Sequence, residues 1–208
     1  RNGYSDLNLY FAAIDKDVEL FKEFINYMTI NVSEFYRNPE QWKIVENEIF
    51  PALIKKKGNI KIWSAACSTG EEPYTITMIL SQHLPLSKIS IIATDIDKEA
   101  MAKAQTGIYS ENSLKNVPSA IVSKYFSKVT DKTYSISDEI KKCVSFKQHN
   151  LLKDKFVEGC DLIVCRNVLI YFTEEAKAEI YSNFSKSLNP EGILFVGSTE
   201  QIISPQKY

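Results

Sequence analysis

Residues 60–74 read IKIWSAACSTGEEPY, and the fold turns on this stretch. Ile60, Ile62 and Trp63 suit a short buried strand. Ala65, Ala66, Cys67, Ser68, Thr69 and Gly70 then carry almost no side-chain bulk, so a ligand can lie directly on their backbone. Glu71, Glu72 and Pro73 open a helix, with proline tolerated in a first turn where its missing N–H costs little. A phosphate-binding turn would show a G-x-G-x-x-G or G-x-x-x-x-G-K-[ST] pattern. Here there is one glycine, no following lysine and two adjacent carboxylates, which repel an anion and attract an ammonium or sulfonium cation. A plain strand-to-helix turn, with solvated glutamates favoured by the helix dipole, accounts for the same residues.

Outward from this turn, short apolar strands alternate with amphipathic helices. Strands are expected at Ile60–Ala65, Ile89–Asp95, Val144–Gln148, Asp161–Cys165 and Ile193–Gly197, and helices at Glu72–His83, Lys98–Gln105 and Glu174–Leu188. This alternation predicts an α/β fold with a doubly wound, mostly parallel sheet whose strand C-termini share one edge, where ligands bind. Residues 107–142 are polar and less periodic; they read as a small α/β insertion, a helix and a β-hairpin with a strand near Thr133–Ser137. Upstream, Asp17–Tyr27 and Glu40–Lys55 carry helical spacing, the second with Trp42, Val45, Ile49 and Leu53 inward.

The composition narrows the function classes. A formal net charge of -1 leaves no basic excess for a dedicated nucleic-acid binder. The four cysteines form no C-x-x-C pair and the two histidines no zinc spacing, so no metal site is expected and the thiols read as reduced and buried. No apolar run approaches the 18 residues of a spanning helix. A cytoplasmic protein, with no direct membrane insertion, is the expectation.

Polar groups recur where the strands should end. Asp95 follows Gly70 by 25 residues, near the roughly 20-residue offset at which an acid meets a ribose diol. Asp97, before Lys98-Glu99-Ala100, suits a helix N-cap better. Asn150 can donate to and accept from an adenine edge, although a turn or cap role is also open to it. Arg166 and Asn167 directly follow a buried strand and are costly to place in the core, so they are expected to line the crevice, with Tyr171 near the same edge. Nucleoside-type acceptors at two strand ends, with acids in place of phosphate contacts, favour S-adenosylmethionine.

Six motifs carry a resemblance over nearly the whole chain: TINVSEFYR at 29–37, WSAACSTGEEPYT at 63–75, ATDID at 93–97, NLL at 150–152, CRNVLIYF at 165–172 and FVGSTE at 195–200. In this order they resemble the CheR family of chemotaxis-receptor methyltransferases. The resemblance implies a class I, Rossmann-like methyltransferase domain over 38–208, preceded by a remnant of a helical N-terminal domain over 1–37. It implies cofactor contacts from Asn31, Ser33, Arg37, Glu72, Asp95, Asn150, Leu151, Arg166 and Asn167, with Glu72 rather than Glu71 holding the methionine amino group. Arg37 and Tyr171 would face the reacting centre. The implied partners are the cytoplasmic helices of chemotaxis receptors, whose glutamates become methyl esters, with S-adenosylhomocysteine as co-product and a monomer as the acting species. Only about one helix precedes the 29–37 motif. Receptor docking, which in the family uses a basic helix of the N-terminal domain, is therefore expected to be poor. Rival readings are a methyltransferase of the same fold acting on another acceptor, and a non-catalytic sensor or scaffold that keeps the cofactor site.

Overall fold

The computed structural model describes residues 6–14, 16–17, 20, 33–57, 59–202 and 205–207. The helix expected at Asp17–Tyr27 lies almost wholly outside them. The chain divides into two units, Arg1–Val32 and Ser33–Tyr208; the first carries helix α1 (Leu7–Ile14).

The second unit is built on a five-stranded sheet of β1 (Ile62–Ala65), β2 (Ile91–Asp95), β6 (Val144–Gln148), β7 (Cys160–Cys165) and β8 (Leu188–Val196), in the order β6-β2-β1-β7-β8. Every pairing is parallel. A parallel sheet is covered on both faces, so its central strands must be apolar throughout rather than alternating. Accordingly β1 and β7 are buried at every position. Successive side chains feed two separate cores. Ile62, Ile91, Leu162 and Val164 join one, while Trp63, Ala65, Ile163 and Cys165 join the other.

The flanking helices are α4 (Glu71–Leu80), α5 (Lys98–Thr106) and α8 (Glu174–Ser187). From β1 the chain winds outward through β2 to β6, then returns to the opposite side of β1 to lay down β7 and β8. The direction of winding therefore reverses between β1 and β7, and the crevice beyond their C-terminal ends is the topological switch point, where open α/β sheets bind ligands.

The segment 107–142 holds more than a hairpin. Strands β3 (Ile108–Ser110), β4 (Phe126–Thr130) and β5 (Thr133–Ile136) form an antiparallel sheet in the order β3-β5-β4, with helices α6 (Ser119–Tyr125) and α7 (Asp138–Lys141) beside it. This small sheet grips the segment entering the larger unit. Phe35 is fully buried edge-on to Tyr109 and Phe126, with ring centroids 4.7 and 5.3 Å away, and its N–H donates to the Ser113 carbonyl.

The helix expected at Glu40–Lys55 is interrupted. It runs as α2 (Pro39–Ile44), a π-helical turn (Val45–Ile49) and α3 (Phe50–Lys57). Pro51 cannot donate to the carbonyl of residue 47, and its ring would crowd that group in a regular helix. The wider turn just ahead relieves this crowding and adds a residue to the register. Phe50 thus takes the fully buried place that strict 3.6-residue periodicity assigns to Ile49, which is only half-buried.

Candidate active site

The turn 66–70 is held by its own backbone. Ala66, Ser68 and Gly70 all have positive φ, at 61°, 48° and 91°, which alternates the direction of successive peptide groups and packs the turn tightly. The Ser68 N–H donates to Asp95 Oδ2 at 2.7 Å, and the Cys67 N–H extends the β1–β2 ladder to the Thr94 carbonyl. The Tyr109 hydroxyl donates to the Thr69 carbonyl at 2.8 Å, so the small sheet braces the turn as well. Burial raises the Cys67 thiol well above its usual range, with Asp95 and Glu72 adding to the effect. The thiol is protonated and no nucleophile.

Gly70 is required twice over. Its left-handed φ disfavours any Cβ, and a Cβ placed there would lie 2.7 Å from the Cβ of Ala104. Gly70→Ala is expected to cost about 2–3 kcal/mol, combining the left-handed penalty with overpacking. Adding Ala104→Gly should return roughly half of that by removing the collision and leaving the strain. Chemical denaturation of Gly70→Ala, Ala104→Gly and the double variant checks this; if Gly70→Ala costs as much in the Ala104→Gly background as in wild type, the collision is not the cause.

The two adjacent glutamates separate. Glu71 turns into the protein, 4% exposed, where Thr69 Oγ1 donates to it at 2.7 Å and the Ser33 hydroxyl also bonds it. Glu72 faces the crevice and accepts from Ser64 Oγ at 2.8 Å. Burial lifts its pKa to about 7, against the pull of Arg166, the Ser64 bond and Arg37, and Glu200 pushes the same way as burial.

Asp95 ends β2, 9% exposed. Its two carboxylate oxygens accept the N–H groups of Asp97 and Ser68 at 2.9 and 2.7 Å, which leaves each oxygen a second acceptor site. Burial raises its pKa despite these bonds. Asp97 caps α5 by accepting from the N–H groups of Glu99 and Ala100. Asn150 forms a turn: its Oδ1 accepts from the Leu152 N–H and its own N–H donates to Asp154. The Leu151 side chain packs in the Trp63 core, so only its backbone is available to a ligand.

Beyond β7, Arg166 is buried against the rings of Trp42 and Phe195, its guanidinium 5.3 and 4.9 Å from their centroids, while the two rings meet each other edge-on at 5.4 Å. Its Nη2 donates to the Arg37 carbonyl, Asn38 Oδ1 and Gln41 Oε1 at 2.9, 2.8 and 2.9 Å. Arg166 thus ties the 37–41 segment to the crevice and brings Arg37 within electrostatic reach of Glu72. Asn167 is half-buried at φ 60°. Tyr171, on a 3₁₀ turn (Leu169–Tyr171), is 62% exposed. Asn31 lies outside the described residues. One residue to which sequence reasoning gave no role also stands in the site: Glu200, whose carboxylate meets the loop after β7. The FVGSTE motif at 195–200 was the only signal for it.

Several buried polar atoms here lack a protein partner: Ser68 Oγ, Asn167 Oδ1 and Arg166 Nε. Buried polar groups are normally satisfied, so their gathering around the switch point marks a place made for a polar ligand. Among the described residues, no group of three or more His, Cys, Asp or Glu side chains could hold a metal ion.

Comparison with known proteins agrees with this geometry. The family described as "CheR methyltransferase, SAM binding domain" matches residues 31–208. A chemotaxis protein methyltransferase of Listeria innocua is 39% identical over 99% of this chain and 78% of its own length. That of Escherichia coli is 33% identical over 95% of this chain and 71% of its own. Chemotaxis protein methyltransferase 2 of Vibrio cholerae is 38% identical over 86% of this chain and 65% of its own. With a family match over most of its length and a crevice of the right chemistry at the sheet's switch point, the chain belongs to the CheR methyltransferase family.

Proposed function

We propose that this protein transfers a methyl group from S-adenosylmethionine to glutamate carboxylates on the cytoplasmic helices of chemotaxis receptors, forming methyl esters. The observation that carries the reading is Glu72, a carboxylate held at the switch point with its pKa lifted to about 7 by burial. A group placed at such cost suits a cationic ligand whose charge repays its ionisation.

The residues fit the cofactor. Glu72 would take the amino group. Asp95 would take the ribose hydroxyls with its remaining acceptor sites, and Asn150 with the Leu151 backbone would take the adenine edge. Ser33, Arg37, Arg166 and Asn167 complete the cradle in this reading. When bound, the cofactor supplies a methyl group activated by a sulfonium.

The chain itself need supply no general base, because a glutamate side chain with a pKa near 4.3 is already ionised at neutral pH. His149 does not compete for such a role: it is buried beside Trp63 and Phe156 with Nε2 on the Lys155 carbonyl. What the chain contributes is placement and exclusion of water, worth on the order of 7–11 kcal/mol in favourable systems. Arg37 orients the incoming carboxylate or the methionine end of the cofactor, and the exposed Tyr171 offers a hydrogen bond beside the reacting centre. Tyr171→Phe is then expected to lower transfer about tenfold while leaving affinity for S-adenosylhomocysteine unchanged, as read by initial rates and calorimetry. Equal losses in both would place Tyr171 in cofactor binding instead.

Incubation with radiolabelled S-adenosylmethionine and receptor cytoplasmic fragments tests the whole reading. Label should enter the receptor and be released as methanol by mild base, the signature of an ester. Base-stable label would point to another acceptor chemistry, and cofactor binding without transfer to a non-catalytic module.

A further inference from the structure

The loop after β7 carries Arg166, Asn167 and Tyr171, yet Tyr171 points outward, and its own side chain does nothing to fix the loop. We propose that Glu200 is the positioning residue for this loop, binding its backbone as an internal anion and so setting where Arg166, Asn167 and Tyr171 stand in the crevice. The proposal rests on the methyltransferase reading of the site.

Glu200 is 7% exposed, and each of its oxygens accepts two backbone bonds. Oε2 takes the Asn167 and Gly197 N–H groups at 2.7 and 2.8 Å. Oε1 takes the Val168 and Leu169 N–H groups at 3.0 and 2.8 Å. Three of these donors are successive residues, and they converge because Asn167 is left-handed, at φ 60°, and Val168 is right-handed, at φ −119°. Such an alternation forms a concave nest of N–H groups that ordinarily receives an anion. Here the anion comes from the loop after the neighbouring strand β8, so one carboxylate fastens two strand ends together.

The surroundings are shaped for it. A Cβ on Gly197 would lie 2.6 Å from Glu200 Oε2 and 3.0 Å from Asn167 Nδ2. Asparagine tolerates the left-handed region better than other side chains, and the bonds from the N–H groups of 167–169 to Glu200 hold the chain in that course. The 3₁₀ turn then follows directly, with the Tyr171 and Phe172 N–H groups donating to the carbonyls of Val168 and Leu169. The course of the backbone from 166 to 172 thus depends on one side chain that need touch neither cofactor nor acceptor.

Glu200→Gln tests this without changing shape. Whichever way the amide turns, its NH2 faces a pair of N–H donors. Hydrogen exchange at the amides of 167–169 should quicken at least tenfold, and the dissociation constant for S-adenosylhomocysteine should rise about tenfold. The turnover number at saturating cofactor should fall about 10- to 50-fold, with KM for the receptor fragment within twofold. Gly197→Ala should reproduce this pattern by displacing the carboxylate, and decides the matter if Glu200→Gln fails to fold. Wild-type exchange rates at 167–169 in the folded variants would overturn the anchoring. Faster exchange with unchanged dissociation constant and turnover would overturn the positioning role. A wild-type protein that failed to bind S-adenosylhomocysteine would instead overturn the cofactor reading, and the exchange rates would still decide the anchoring.

Discussion

Glu72→Gln is expected to weaken binding of S-adenosylhomocysteine at least 100-fold and, at the same time, to stabilise the ligand-free protein above pH 7. The two effects have one origin. In the folded protein the carboxylate of Glu72 is desolvated, and the pull of Arg166, Ser64 and Arg37 does not make up for it, so its pKa rises from 4.5 to about 7. A pKa raised in the folded state means that the folded protein holds this proton more tightly than the unfolded chain does. Below about pH 4.5 the group is protonated in both states and has no effect. As pH rises to about 7 the unfolded chain ionises freely and the folded one does not, so stability falls across that window and levels off above it. The full cost is on the order of 3 kcal/mol, and glutamine, which cannot ionise, does not incur it.

Cofactor affinity should run the opposite way with pH. A protonated Glu72 is neutral and holds an ammonium group poorly, whereas the ionised form pairs with it. Affinity for S-adenosylhomocysteine is therefore expected to climb about tenfold per pH unit below 7 and to flatten above it, with proton release on binding at pH 6. Calorimetry between pH 5.5 and 8 reads the affinity, and thermal melts over the same range read the stability. A wild-type affinity that is flat across this range, or a Glu72→Gln protein no more stable than wild type at pH 8, would remove the claim that this carboxylate is kept strained for a cation.

Much of this site was legible in the sequence because it depends on local pattern. Each sheet strand sits within a few residues of its apolar run, since a parallel strand buried on both faces needs an unbroken one. The polar residues that follow those runs mark the sheet edge by their place alone. Asp97 was separable from Asp95 because an N-cap has a local signature, and the structure shows that cap. Local pattern fails where geometry comes from elsewhere in the chain. The π turn at Val45–Ile49 exchanges Ile49 for Phe50 in the core, and a fixed 3.6-residue period cannot foresee it. Strand β3 has three residues with only Tyr109 buried, too short a pattern to reveal a third strand in the insertion. Strand β8 begins at Leu188, directly after α8, and its register with β7 shifts between Cys160 and Leu162; Asn189-Pro190-Glu191-Gly192 inside it reads as a turn, which hides the earlier start. Arg166 was read as a crevice residue because burying arginine is costly. Its packing against Trp42 and Phe195, with three oxygen acceptors from 37–41, lowers that cost, and apart from Phe195 those partners lie more than 120 residues away in sequence.

That packing and those three acceptors make Arg166 the residue whose loss should damage the protein most. Arg166→Met keeps the approximate length and the apolar packing against both rings but removes the charge and every donor. The Arg37 carbonyl, Asn38 Oδ1 and Gln41 Oε1 then lose the donor that now joins them. Removing one partner of a buried charged network typically costs about 3–5 kcal/mol, and the loss should appear as a lowered denaturation midpoint. Arg166→Lys should recover only part of it, because a compact ammonium on a shorter stem has no planar face to lay against the rings. The same substitution tests the link to Glu72. Arg166 is the foremost group holding the Glu72 pKa down against burial, so in Arg166→Met that pKa must move above 7, and the pH at which cofactor affinity flattens must rise with it. In Arg166→Lys it should stay close to the wild-type position. If Arg166→Met costs less than about 1 kcal/mol, the guanidinium is not what holds the 37–41 segment. If the affinity profile keeps its wild-type midpoint, Arg166 and Glu72 are not the coupled pair on which the charge balance of this crevice depends.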